Sequence, residues 1–272
     1  ISYAHIENFK NLDQIANAKA EIINNILPGG TMIINMDDHY CKYFIKKAKI
    51  KKLKIITYSK NNRNADIFLI GHKRNKNKYL INIKIKNKKK YFLVSNNLSY
   101  YKENILATIS VLINYFDIKK LNKNLFLDFK IPLSRGSIIN YQKKSKKLTI
   151  IDESYNSNPL SFKFALERFD TTYKDRNKKF LLVGNMLELG KHSKSLHRKI
   201  AEYINKSKLN KAYVYGNFTK HTFNKLKPQI RGKILNKYSD IMNLINKDLP
   251  NNSFLMIKGS NSTGLNNIIK NL

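Results

Sequence analysis

From residue 148 onward the chain alternates short apolar, β-branched runs with stretches of helical periodicity, and this alternation constrains the fold more than any other feature. Strands are predicted near 148–152, 179–184, 211–215 and 253–258, and helices near 160–170, 193–205, 217–226, 239–247 and 263–271. Strand–helix alternation at this spacing builds βαβ units and hence a mostly parallel sheet covered by helices. Open sheets of that kind hold ligands outside the carboxyl ends of their strands. The residues that follow each predicted strand are therefore the ones to weigh for function.

The first such end is the richest. Leu148-Thr149-Ile150-Ile151 reads as a buried strand, and Asp152-Glu153-Ser154-Tyr155-Asn156-Ser157-Asn158-Pro159 follows it. Leu160, Phe162, Phe164, Ala165 and Leu166 then support a helix, with Asn158 suited to its N-cap and Pro159 to its first position. Two carboxylates and two asparagines thus gather at a sheet edge. A capped strand-to-helix turn and a ligand site fit these residues equally well. Gly184 to Gly190 and Lys258-Gly259-Ser260 end two other predicted strands at the same edge. His197, beside Leu196 and three residues before Ile200, reads as a packed or solvated histidine rather than a catalyst.

The first half mixes patterns. A helix is predicted over 11–26, opened by Asn11 with Gln14 three residues later, and Pro28-Gly29-Gly30 ends it. Strands near 31–35 and 53–58 flank a short helix near 43–49, a hairpin spans 79–86 and 91–95, and a helix follows over about 103–116. A boundary near residues 129–132 divides the chain into domains 1–131 and 132–272, each long enough for its own core. On the first helix the apolar stripe runs Leu12, Ile15, Ala16, Ile22, Ile23, Ile26, and Lys19 stands where the stripe expects another apolar residue. A lysine so placed must snorkel, pair or lose its charge. A neutral amine in a sheltered site can take up CO2 as a carbamate, which turns a cation into a carboxylate.

Composition narrows the classes of partner. The net charge is +34, but it comes from 45 Lys against 7 Arg, in a chain also crowded with Ile and Asn, which is the mark of AT-rich codons. The lysines are scattered, in clusters such as 86–90 and 143–147, with no stripe pairing Arg with exposed aromatics. Solvated faces are therefore expected rather than a polyanion site, and a basic nucleic-acid-binding α/β protein is the rival from a different class. No apolar run approaches the roughly 18 residues of a membrane helix, so a soluble protein without a membrane partner is expected. The single cysteine, Cys41, excludes an internal disulfide and fits a reducing, cytoplasmic setting. Ile1 is not Met and no leader-like stretch precedes the first motif, so the chain is expected to begin inside a domain.

Four ordered stretches together resemble the Mur ligase family. They are Ala4-His5-Ile6-Glu7 leading to Ala18-Lys19-Ala20-Glu21-Ile22, the Asp152–Pro159 run, Gly184-Asn185-Met186-Leu187-Glu188-Leu189-Gly190, and Lys258-Gly259-Ser260-Asn261-Ser262. The resemblance covers essentially the whole chain. It implies an α/β fold, with the C-terminal part of a central ATP-binding domain over 1–131 and a Rossmann-like C-terminal domain over 132–272. It also implies ATP-dependent amide ligation through an acyl phosphate. The Tyr155–Pro159 and Met186–Gly190 stretches favour the branch that joins D-alanyl-D-alanine to UDP-N-acetylmuramoyl-tripeptide in peptidoglycan precursor synthesis. Another Mur-type amino-acid ligase, or a folylpolyglutamate synthetase-like enzyme, is the alternative within the superfamily.

The resemblance further implies roles for individual residues. Lys19 would be carbamylated and, with His5 fourteen residues earlier, would hold a Mg2+ ion. Asn104 begins the helix that in the family lies beside adenine, although Tyr100-Tyr101 stand where a His-Asn pair is expected. Arg135 matches an arginine that reaches the ATP phosphates, a role suited to a planar, bidentate guanidinium. Glu153 aligns with a ribose-binding acid, with Asp152 as the neighbouring alternative. Asn156, Asn158 and Lys258 would lie around the amine substrate, while Glu188 or Asn185 could touch substrate within a mainly structural turn. A monomer is expected. The family's Gly-rich phosphate loop ending Gly-Lys-Thr or Gly-Lys-Ser is absent from this sequence, since Pro28-Gly29-Gly30-Thr31 lacks both the lysine and the length. In the family that loop precedes the His5 segment. A chain lacking the UDP-sugar-binding domain and the first part of the ATPase domain, and inactive alone, is therefore expected.

Overall fold

The computed structural model describes residues 1–3, 5–76, 78–96, 98–176 and 178–272; Ala4, the first residue of one of the four stretches, lies outside the described residues. The chain forms two compact units, one of residues 11–130 with Ile1, the other of residues 2–10 with 131–272.

In the first unit, α1 (Leu12–Ala20) is capped as its sequence predicts, with Asn11 Oδ1 accepting the Gln14 N–H at 3.0 Å. After Ala20 the chain tightens into a 3-10 turn, 21–25. Then come β1 (Thr31–Asn35), α2 (Cys41–Ile50), β2 (Lys54–Ser59), β3 (Ile67–Asn75), β4 (Lys78–Ile85), β5 (Lys88–Ser95) and α3 (Lys102–Leu112). The sheet runs in order β1-β2-β3-β4-β5, with the first three strands parallel and the last three antiparallel. Ile81, Ile83 and Ile85 alternate with polar residues, so one face of β4 packs on Phe92, Val94, Ile105, Leu106 and Ile109 while the other meets water. The sequence reading passes over β3. Only Ile67 and Phe68 pair with β2, and from His72 on the strand is an exposed ribbon of polar residues paired to β4.

The second unit contains β6 (Ser137–Lys143), β7 (Lys146–Glu153), α4 (Pro159–Thr172), β8 (Lys179–Gly184), α5 (Ser193–Lys206), β9 (Lys211–Tyr215), α6 (Lys220–Phe223), β10 (Arg231–Leu235), α7 (Tyr238–Asn243), β11 (Ser253–Lys258) and α8 (Leu265–Lys270). Its sheet, in order β10-β9-β8-β11-β7-β6, is parallel except for β6, so the fold is α/β with the expected mostly parallel sheet. On one face Leu148, Ile150, Phe180, Leu182, Leu255 and Ile257 pack against Ile241, Leu244, Ile245, Leu265 and Ile268. α4 lies beside α5, and α5 beside α6. Two further strands escape sequence reading, β6 and β10, and both are edge strands. An edge strand needs only one apolar face and can afford Gln142, Lys143, Arg231 or Lys233. The helix predicted over 217–226 is only the short α6, and that over 239–247 is α7 continued by a π turn at 244–248. No helix among the described residues is long and apolar enough to cross a membrane.

Candidate functional site

The registers of the second sheet bring the carboxyl ends of its central strands level. Lys258, the last residue of β11, pairs with Glu153 at the end of β7 on one side and with Val183 of β8 on the other. Where β8 and β11 end, Gly184 and Gly259 touch backbone to backbone. A Cβ on Gly184 would lie 2.4 Å from Leu265 Cδ1 and 3.2 Å from the Gly259 Cα, so neither position admits a side chain without displacing the other.

Two basic side chains hold one carboxylate at this edge, and a third stands near them. Lys258 is 1% exposed; its Nζ donates to the Asn156 carbonyl at 3.0 Å and lies 3.5 Å from Glu153 Oε2. Arg168, from α4, holds Glu153 Oε1. Burial pushes the Lys258 ammonium below its ordinary range, Glu153 works against that shift, and the Arg168 and Arg135 charges add to it. Gly136 has φ +97°, and a Cβ there would strike the Arg168 guanidinium at 2.2 Å, so this glycine makes room for the arginine. Arg135 stacks on Tyr155, its Cζ 4.0 Å from the ring centroid.

The other predicted residues of this stretch serve the turn itself. Asp152 is buried, with Oδ2 accepting the Ser134 hydroxyl at 2.8 Å and Oδ1 accepting the Ser154 N–H at 3.0 Å and its hydroxyl at 2.6 Å. Its oxygens are therefore committed to the loop, and of the two acids it is Glu153 whose carboxylate joins the cations. Asn158 is the N-cap of α4 in a full capping box: its Oδ1 accepts the Ser161 N–H at 2.9 Å, and Ser161 Oγ accepts the Asn158 N–H at 3.0 Å. The Asn156 side chain accepts the Ser157 N–H at 2.7 Å. Ser157 Oγ is buried with no hydrogen-bond partner among the described residues.

The loop after β8 forms the second part of the edge. Leu187 N–H donates to Ser260 Oγ at 3.0 Å, Ser260 N–H to the Asn185 carbonyl at 2.9 Å, and Phe218 N–H to Asn185 Oδ1 at 3.1 Å. Glu188 has φ +61°; its carbonyl accepts the Glu7 N–H at 3.1 Å and its carboxylate meets His5 Nδ1. His5 therefore belongs to the second unit, held by Glu188, and the pair is exposed.

Lys19 and Asn104 lie in the first unit. The core-facing place expected for Lys19 is corrected by the structure. Lys19 is exposed, and the buried residues are Ile15, Ala16, Ala20 and Ile23. The 3-10 turn that begins at Glu21 has a different periodicity, which rotates Ile22 outward to 62% exposure and breaks the extrapolated stripe. Asn104 is exposed on α3, and its carbonyl accepts the Thr108 hydroxyl at 2.8 Å. A polar group that sequence reasoning missed sits at the ends of β1 and β2. There Asp37 accepts the Ser59 hydroxyl at 2.5 Å and the Lys60 N–H at 2.7 Å, and Lys60 pairs with Glu103. Arg168 was missed as well, and the available signal was that it is one of only seven arginines among 45 lysines, a residue whose planar fork suits a carboxylate.

Mg2+ asks for oxygen ligands in octahedral array. Among the described residues no three His, Cys, Asp or Glu side chains gather to hold a metal, and His5 with Glu188 supplies one nitrogen and one carboxylate. These residues do not fit a complete Mg2+ site on their own.

Residues 1–112 match the model of the Mur ligase middle domain, and residues 139–261 that of the Mur ligase, glutamate ligase domain. The UDP-N-acetylmuramoyl-tripeptide–D-alanyl-D-alanine ligase of Rickettsia prowazekii is 27% identical over 286 residues, covering 99% of this chain and 59% of that protein. The enzyme of the same name from Buchnera aphidicola of Acyrthosiphon pisum is 26% identical over 291 residues, covering 100% of this chain and 58% of its own. The chain thus spans a little under six-tenths of these relatives. Among solved structures, MurF from Acinetobacter baumannii superposes with a TM-score of 0.81 at 20% identity, covering 100% of this chain and 58% of that one. The MurF ligase of Thermotoga maritima in complex with ADP gives 0.76 at 20% identity, covering 99% and 59%.

Proposed function

The chain belongs to the Mur ligase family, and we propose that it serves the ATP-dependent joining of D-alanyl-D-alanine to UDP-N-acetylmuramoyl-tripeptide through an acyl phosphate. In this reading residues 1–131 are the C-terminal part of the central ATP-binding domain and 132–272 the C-terminal Rossmann-like domain. The protein would act as a monomer in the cytoplasm, without nucleic-acid or membrane partners.

The observation that carries the reading is the group of Arg168 and Lys258 on the Glu153 carboxylate, with Arg135 acting on Lys258, at the carboxyl edge of a parallel sheet. Basic groups gathered at this strand end favour an anion where such sheets bind ligands. They suit a nucleotide phosphate, an acyl phosphate or a peptide carboxylate, since charge-assisted bonds to oxyanions are the strong ones. Arg135, over the Tyr155 ring, would reach the phosphates; Glu153 would face the ribose, held in one orientation by Arg168 and Lys258. Asn156 and Lys258 would border the amine substrate, and Asn104 the adenine. Lys19, as a carbamate, and His5 are the residues this reading gives to Mg2+, and the two do not complete a site by themselves.

The test is Arg135→Ala, read by calorimetric titration with ADP. A loss of affinity of about tenfold or more, equivalent to about 1.4 kcal/mol, is expected for one bidentate phosphate contact. Unchanged affinity would remove Arg135 from the site. In a protein containing this chain, Lys19→Ala should abolish phosphate release dependent on UDP-N-acetylmuramoyl-tripeptide and D-alanyl-D-alanine. Undiminished turnover would remove Lys19 from the machinery.

A further inference from the structure

Under the loop that follows β8 lies a histidine that the site just described does not use. His197, on α5, is fully buried. Its Nε2 accepts the Met186 N–H at 3.1 Å, and its Nδ1 lies 2.7 Å from the Ser193 carbonyl oxygen. A main-chain amide can only donate and a carbonyl can only accept, so both ring nitrogens are committed. Nδ1 carries the proton, Nε2 is bare, and the ring is neutral. Phe218 stacks on the imidazole at 5.7 Å and 30°, and the His197 carbonyl accepts the Thr222 hydroxyl at 2.7 Å. Burial pulls the imidazole down to about 4, the hydrogen bond to Ser193 opposes that shift, and His221 on α6 adds to it.

Met186 is the middle of three consecutive residues with tertiary anchors. Asn185 is tied to Ser260 and Phe218, and Leu187 to Ser260. Without an acceptor at the Nε2 position the fully buried Met186 amide would have no partner, a penalty larger than the net value of an ordinary hydrogen bond. Glu188, the next residue but one, turns out of the loop with positive φ toward His5.

We propose that His197 is a positioning residue. As the neutral Nδ1–H tautomer it clamps the Met186 amide and so fixes residues 185–188, with the Asn185 and Glu188 side chains, at the ligand edge of the sheet. The effect on ligand rests on the reading under Proposed function; the clamp itself does not.

The experiment uses the whole chain with two variants. Gln at this position can place a carbonyl oxygen where Nε2 stands, whereas Leu cannot accept a hydrogen bond. Nitrogen-15 spectra at pH 7 should show His197 neutral and protonated on Nδ1. In His197→Leu, exchange of the Met186 and Leu187 amides should speed up at least about tenfold while Leu181 and Leu182 of β8 change less than about twofold, and ADP affinity should fall about tenfold. His197→Gln should restore both. An Nε2–H tautomer, an imidazolium, or unaltered Met186 exchange in the Leu variant would overturn the proposal. If the Leu variant loses β8 protection as well, the Gln variant decides: folded with fast Met186 exchange, it too would overturn the clamp. Failure of the wild-type chain to bind ADP would count against the ligase reading alone, since the spectra and exchange rates still judge the clamp.

Discussion

In the first unit, β3, β4 and β5 form an antiparallel ribbon, and in its central strand β4 buried isoleucines alternate with Asn82 and Lys84. In the second, β8 is buried at all six positions, and one of them is Lys179. The difference shows where a lysine-rich chain can carry its charge. A sheet with one wet face takes a lysine at every second position at no cost beyond its own hydration. A parallel sheet covered on both faces has no such position, so Lys179 reaches Asp170 at 2.7 Å and Lys258 reaches Glu153.

The comparison would break first at the cores. Phe92 and Phe162 are both fully buried, one in each unit. Either change to Ala should lose about 3–5 kcal/mol, the usual range for a large aromatic. Hydrogen exchange followed by mass spectrometry should confine the loss to the unit that carries the change. A loss that spreads equally through both would mean that they unfold as one.

Charge sharpens it next. Asp170→Asn strands the buried Lys179 and should cost about 3 kcal/mol in urea denaturation, whereas Glu103→Gln, at the partly exposed pair with Lys60, should cost less than about 1 kcal/mol. Equal costs would erase the distinction between wet and covered sheets.

Acid should act on the second unit through His197, while His72, also lowered by burial, carries the corresponding effect in the first. His197 is pulled from 6.5 to about 4, so below 6.5 the unfolded chain binds a proton that the folded one refuses. Its neutral form therefore contributes its full share of stability above pH 6.5, and that share drains away as pH falls toward 4, a loss of about 3 kcal/mol. Stability of the second unit in His197→Gln should be flatter across that window. An identical slope would place the acid sensitivity elsewhere.

The smallest contrast is between the caps. Asn158→Ala removes one bond of a reciprocal box and Asn11→Ala the bond to the Gln14 N–H, each worth about 1 kcal/mol in urea denaturation, with the larger effect expected at Asn158.

Both caps were legible from residue order, because capping is local: an asparagine, then Pro or a polar residue at fixed offsets. The strands β7, β8, β9 and β11 were legible too, since each contains a short apolar run and is followed by helical periodicity. What escaped was set by neighbours. β3, β6 and β10 are polar for much of their length and are strands only because another strand offers hydrogen bonds. The stripe failed at Ile22 because a change of helical pitch at Glu21 cannot be seen in hydrophobicity; Lys19 itself lies in the regular part of α1, where Ala20 takes the buried place. At the site, the Asp152–Pro159 run announced itself, but that Asp152 would be consumed by Ser134 and Ser154, and that Glu153 would meet Arg168, depends on residues up to eighteen positions apart.

The contact of Gly184 with Gly259 has a mechanical consequence. Two backbones that touch without side chains between them, wedged by Leu265, have no compressible layer to absorb a shift. The turns beyond them, 185–188 and 260–263, are also stitched together through Ser260. A push on either turn from an arriving molecule would therefore be transmitted to the other as a rigid rotation about the glycine contact, so this edge would respond as a single lever rather than as two independent flaps.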